Sequence, residues 1–195
     1  MHLLKNIYSD ILLVMATVEK ERHQEKIFKG KIIYFSGAIT EKHPDPDFFK
    51  ELINFMKENG ALVLSEHVGI VDKEERTSEF IRRSGIRRDL MDDPSPYIRE
   101  ADLGWVHDCT NLIAVADTPS TGAGMEIQEA LNKHKMGMNL TPVLCLIHID
   151  LWKDGFSNMV KGISKKDSPV AQRRAYLNTE HAKRVITEFL TSDQI

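Results

Sequence analysis

Four short, almost continuously apolar runs govern what this 195-residue chain can fold into: "KIIYFSG" (31–37), "ALVLSEH" (61–67), "NLIAVAD" (111–117) and "TPVLCLIH" (141–148). Runs of this kind are buried on both faces, and where helical patterns alternate with them the stable arrangement is a parallel sheet covered on both sides. The intervening segments carry those patterns. "DPDFFKELINFMKENG" sets Phe48, Leu52, Phe55 and Met56 at helical spacing and stops at Gly60. "RRAYL" (173–177) predicts a short fifth strand, and Thr179 is read as the cap of a last helix with a stripe of Ala182, Val185, Ile186, Phe189 and Leu190. The expected fold is α/β, a flavodoxin-like (Rossmann-like) five-stranded parallel sheet of order 2-1-3-4-5 with helices on both faces.

Two segments stand apart from this alternation. Leu4, Ile7, Ile11, Met15 and Val18 recur every three or four residues and predict an N-terminal amphipathic helix, so residues 1–30 read as a helical extension and 31–195 as the α/β domain. Residues 69–94, with "RRSGIRR" and "DDPSP", are polar and look like an insertion or lid. No apolar run approaches the roughly 18 residues needed to span a bilayer. The formal net charge of -3, from 26 basic and 29 acidic residues, lacks the basic footprint of a protein that binds a nucleic-acid polymer or an anionic membrane. Cys109 and Cys145 read as buried thiols in a reducing compartment, which points to the cytoplasm.

In an open parallel sheet, ligands sit beyond the carboxyl ends of the strands, where the strand order reverses. Polar residues collect there: Tyr34, Ser36 and Gly37 after strand one, Ser65, Glu66 and His67 after strand two, and Asp117, Thr118 and Ser120 with the "STGAG" loop after strand three. That loop leads into a helix whose N-terminus attracts anions, although paired glycines before a helix also serve ordinary turns. Asp102 lies on the stripe of a helix that Ser95 is expected to cap with Pro96 at the first helical position, in step with Ile98, Trp105 and Cys109, and a carboxylate facing a core needs a partner or a task. Glu126, in the first turn of the next helix, is either a simple dipole partner or an ionised nucleophile. Burial would raise the Asp102 pKa and separate the two carboxyls into a proton donor and an anion, the equipment of a retaining glycosidase.

The ordered segments "IYFSGAIT", "LSEHVG", "READLGWVHDCTNLIAVAD" and "TPSTGAGMEIQEAL", with "FSNMVKG" further on, resemble the 2'-deoxynucleoside 5'-monophosphate N-glycosidases of the nucleoside 2-deoxyribosyltransferase superfamily. The resemblance covers roughly residues 31 to 190. It implies that Glu126 attacks C1' of the sugar, that Asp102 is the acid/base, and that Tyr34 orients the nucleophile. Gly37, Ile39, Ser120, Gly122 and Gly124 would cradle a phosphate, His67 would line the base pocket, and Ser157 would serve the neighbouring subunit of a homodimer with shared active sites. No metal or organic cofactor is implied. Where the family usually has Ser-Ile-Arg, this chain has Ala38-Ile39-Thr40, which removes a hydroxyl and a phosphate-pairing arginine; Lys161, Arg82 or Arg87 are candidates to compensate. The alternatives are a deoxyribosyltransferase, in which a second base intercepts the same intermediate, and a nucleotide sensor without turnover.

Overall fold

The structure is a computed structural model and describes residues 26–39, 45, 47–87 and 90–192. Five parallel strands form one sheet: β1 (Ile32–Ser36), β2 (Leu62–Val63), β3 (Asn111–Val115), β4 (Val143–His148) and β5 (Ala171–Tyr176), in the order β2-β1-β3-β4-β5. This is the arrangement that the apolar runs predict. The reversal of strand order falls between β1 and β3, which pair with Tyr34 opposite Leu112 and Ser36 opposite Ala114. The predicted N-terminal helix falls on residues of which 1–25 lie outside the described part of the chain.

The side-chain period of two divides the sheet residues between two layers. Ile33 and Phe35 of β1, Ile113 and Val115 of β3, and Leu144 and Leu146 of β4 pack on one side against α1 (Phe48–Glu58) and α6 (Thr179–Thr191). Tyr34, Leu112, Ala114, Val143, Cys145 and Ile147 face the other side, against α3 (Ser95–Asp108), α4 (Thr121–Asn132) and α5 (Asn158–Gly162). Helices α1 and α6 are amphipathic in the way the sequence predicts. In α1 the buried residues are Phe48, Leu52, Ile53 and Met56, and in α6 Ala182, Val185, Ile186, Phe189 and Leu190.

Several local boundaries differ from the sequence-based expectation. Within residues 69–94, read from the sequence as an insertion or lid, α2 (Lys73–Ser84) forms. Asp72 caps its start by accepting from the Glu75 N–H, Gly85 ends it in the left-handed conformation, and Phe80 is its buried anchor. Helix α3 begins at Ser95 itself, with Pro94 in the cap position and the Ser95 N–H donating to Asp93 Oδ1 at 3.0 Å, so Ser95 is a member of the helix rather than its cap. The last helix is capped by Asn178, whose Oδ1 accepts from the His181 N–H, one residue before the expected Thr179.

Strand β2 is only two residues long because a side chain takes over its pairing. The buried Ser65 hydroxyl accepts from the Phe35 N–H at 2.8 Å and donates to the Phe35 carbonyl at 2.7 Å. The backbone then turns through a 3-10 segment, Glu66–Gly69, which brings His67 over the carboxyl end of the sheet. Among the described residues no helix is long and apolar enough to cross a membrane.

Candidate active site

Tyr34 and Ser36 share one parity of β1, so both face α3 and α4 at the carboxyl end of the sheet. Helix α4 starts soon after β3 ends: Ser120 is its N-cap and accepts from the Ala123 N–H at 3.3 Å, which sets Glu126 one turn and a half into the helix and not in its first turn as the sequence predicts. Ile127, Ala130 and Leu131 bury the core side of α4 and thereby aim Glu126 towards β1. There the Ser36 hydroxyl donates to Glu126 Oε2 at 2.5 Å, with Ser36 only 1% exposed. Asp102 enters from α3, one turn before Trp105. The structure thus brings Tyr34, Asp102 and Glu126, which are far apart in sequence, into one cluster.

The electrostatics of that cluster follow from its burial. Asp102 is pushed up to about 7, chiefly by desolvation, then by the charge of Glu126; the Tyr34 hydroxyl opposes the shift. Its Oδ1 is buried without a hydrogen bond to the described residues. Such an atom is costly to leave unsatisfied, by about 1–3 kcal/mol. Glu126 is also raised by burial, but the hydrogen bonds of Ser36 and Tyr34 pull it back towards the ionised form. Tyr34, 1% exposed and beside both carboxyls, is raised well above the ordinary tyrosine range by burial and then by the charges of Glu126 and Asp102. It therefore acts as a neutral hydroxyl that links the two carboxyl groups.

His67 lies beside this cluster in a group of three rings. Its centroid is 5.4 Å from Phe80 and 5.7 Å from Trp105, and Phe80 and Trp105 are 5.5 Å apart. Phe80 comes from α2, which the network of Arg83 with Glu66 and Glu79 holds against the 3-10 segment. The polar stretch 69–94 therefore contributes an aromatic wall.

The glycines of the site fall into two groups. A Cβ on Gly37 would lie 2.8 Å from the Phe49 ring, so packing alone explains that glycine. Gly122 and Gly124 are different. Both lie in the first turn of α4, neither has a positive φ, and a Cβ on either would meet nothing closer than 4.0 Å. Helical glycine costs about 1 kcal/mol relative to alanine, and neither turn geometry nor internal packing requires it here. The space they leave opens on the protein surface. Gly124, Ser120 and Thr121, but not Gly122, line a cavity of about 620 Å³ together with Ser157, Arg99 and Met159; it adjoins the site without being lined by Tyr34, Asp102 or Glu126. Ile39 is exposed at the rim, while Thr40 lies outside the described residues. Ser157 caps α5, accepting from the Met159 N–H at 3.2 Å.

Ser36 and the ring partners Phe80 and Trp105 are residues that the sequence reading did not assign to the site. Ser36 could have been found from its parity with Tyr34. Phe80 carried no signal, because it is a single apolar residue in a charged stretch.

Comparison with known proteins bears on this arrangement. No family model matches the chain. A protein of Methanosarcina mazei assigned as a 2'-deoxynucleoside 5'-phosphate N-hydrolase is 30% identical over 176 residues, which cover 88% of this chain and 94% of its own. This chain belongs to that family. A Methanosarcina barkeri N-hydrolase with the same assignment is 31% identical over 181 residues, 90% of this chain and 98% of its own. The 5-hydroxymethyl-dUMP N-hydrolase of Esox lucius is 27% identical over 157 residues, 80% of this chain and 94% of its own. Among solved structures, a CMP N-glycosidase of Clostridium botulinum matches 80% of this chain and 97% of its own, at a TM-score of 0.49 and 18% identity.

Proposed function

We propose that this protein hydrolyses the N-glycosidic bond of (deoxy)nucleoside 5'-monophosphates, giving the free base and a (deoxy)ribose 5-phosphate. The observation that carries this reading is the pair of buried carboxyl groups, Asp102 raised to about 7 and Glu126 also raised by burial but drawn back towards its anion by Ser36 and Tyr34. Membership of the N-hydrolase family supports it. In the first step a Glu126 carboxylate oxygen forms a bond to C1', the C1'–N bond breaks, and its electron pair leaves with the base, which takes the proton of Asp102. In the second step water attacks C1', its proton passes to the Asp102 carboxylate, and the electron pair of the C1'–O bond returns to Glu126.

The phosphate end of this reading rests on the first turn of α4, with Ser120, Gly122 and Gly124, and on Gly37 and Ile39 across the rim. Of the candidate cations to replace the arginine absent from positions 38–40, Arg82 is paired with Glu79, and Lys161 donates to the Lys153 carbonyl at 3.0 Å. Arg99 lines the same cavity as Ser120 and Ser157, which makes it the compensating group in this proposal. His67, Trp105 and Phe80 would enclose the base. A homodimer that shares its sites fits the exposed Met125 and Met159 beside that cavity and the position of Ser157. A cytoplasmic setting fits two buried free thiols.

The test is a panel of ribo- and deoxynucleosides and their 5'-monophosphates, incubated with and without an acceptor base and resolved by chromatography. Free base from monophosphates is the expected product. Exchanged nucleoside would mark a transferase instead, and a ligand that binds and survives would mark a sensor. Glu126→Ala should lower base release at least a thousandfold; unchanged turnover in that variant would sink the mechanism.

A further inference from the structure

We propose that Ser36 is a positioning residue that selects the attacking oxygen of Glu126 and speeds the second half of the reaction, the release of the sugar from the enzyme. The proposal rests on the double displacement set out above. Its basis is one contact: the Ser36 hydroxyl, buried at the end of β1, donates to Glu126 Oε2 at 2.5 Å. A hydroxyl bonded to a carboxylate at this distance is a strong, charge-assisted donor. The pairing of Ser36 with Ala114 fixes its backbone, and the core side of α4 fixes that of Glu126, so neither partner is free to turn away.

Two consequences follow from which atom is occupied. In this proposal Oε2 stays with Ser36 and Oε1 attacks C1', the Tyr34 hydroxyl being the second donor to the same carboxylate. Once the Oε1–C1' bond forms, Oε2 becomes the carbonyl oxygen of a neutral ester and accepts the Ser36 hydrogen bond more weakly than the carboxylate did. The Ser36 contact therefore stabilises the carboxylate relative to the ester. It makes Glu126 a slightly poorer nucleophile and a distinctly better leaving group. When water attacks C1', the breaking Oε1–C1' bond returns its electron pair to a carboxylate that Ser36 is waiting to solvate, while the water proton goes to Asp102. The other groups facing Glu126 are Tyr34 from β1 and Asp102 from α3, and both are engaged in the cluster through the Tyr34 hydroxyl.

The experiment compares the wild-type protein with Ser36→Ala and Ser36→Thr, using a deoxynucleoside monophosphate under rapid quench, with intact mass of the acid-stopped protein. Ser36→Ala should release base in a burst, accumulate the glycosyl-enzyme and break it down about tenfold more slowly, the loss expected from one charge-assisted hydrogen bond. Its kcat and KM should fall together, with kcat/KM nearly unchanged at the optimum and its acid limb moved to higher pH. Ser36→Thr, which keeps the hydroxyl, should restore wild-type breakdown. A parallel reaction in methanol separates the two ideas: a methyl glycoside of retained configuration requires the covalent intermediate. An inverted methyl glycoside from the wild type would overturn the double displacement and this proposal with it. Retained product with equal breakdown rates in wild type and Ser36→Ala would overturn the role of Ser36 alone.

Discussion

Asp102 holds its proton to about pH 7, because burial and the nearby Glu126 both disfavour its anion. The sign of the resulting pH effects is fixed. With a folded pKa above the ordinary 3.8, the folded state binds more protons than the unfolded chain between about pH 4 and pH 7, so this residue's contribution to stability falls as pH rises through that window. Asp102→Asn should therefore raise the Tm at pH 8 and leave it nearly unchanged at pH 4, each kcal/mol recovered being worth about 2–4 °C in a chain of this size. The same variant should lose the decline of kcat/KM above about pH 7, since no acid remains to be deprotonated. Gly124 offers a complementary case. Gly124→Ala fills open space and gains about 1 kcal/mol of helix propensity, so thermal melting should show equal or greater stability. Kinetics should show KM for monophosphates rising about tenfold, with unphosphorylated nucleosides unaffected, if the space belongs to the phosphate.

Helices α3 and α4 carry the two carboxyl groups and are tied together at their far ends. Lys133, 1% exposed and next after α4, donates to the carbonyls of Val106 at 3.1 Å and Cys109 at 2.8 Å at the end of α3, where the Cys109 thiol also donates to the Val106 carbonyl. His107 and Glu129 add a second tie at 2.6 Å. Lys133→Met should take this donor from both carbonyls and cost about 2–3 kcal/mol, read as a lower urea midpoint with unchanged m-value. The sequence made some elements plain and hid others for reasons that lie in these details. Strands β1, β3 and β4 were legible because both faces are buried and the apolar run is unbroken. The shortness of β2 was not, since a serine hydroxyl substitutes for backbone pairing. Helix α2 buries only Phe80 and so lacks an apolar stripe, although Asp72 and Gly85 mark its ends. At Ser95 and Thr179 a neighbouring residue takes the cap position, which shifts each boundary by one. Asp102, Glu126 and Tyr34 could be picked out by their misplaced polarity, whereas the aromatic wall beside His67 depends on tertiary packing alone.

At the scale of the whole molecule, the cavity beside the first turn of α4 opens towards exposed methionines, with Met159 at 81% exposure next to the Ser157 cap. Methionines at a surface are adaptable contact residues. If two copies meet there and share their sites, Met159→Glu should shift the sedimentation coefficient from dimer to monomer and lower kcat/KM for monophosphates, with the fold kept as judged by circular dichroism. The five residues of β1 also tie foldability to chemistry in a specific way. Odd positions, Ile33 and Phe35, belong to one core; even positions, Tyr34 and Ser36, face the carboxyl cluster. Substitutions on one side need not disturb the other, so reactivity can be tuned with the scaffold untouched. A single residue inserted before Tyr34 would exchange the two sides at once, pushing a phenylalanine towards Glu126 and a tyrosine hydroxyl into oil.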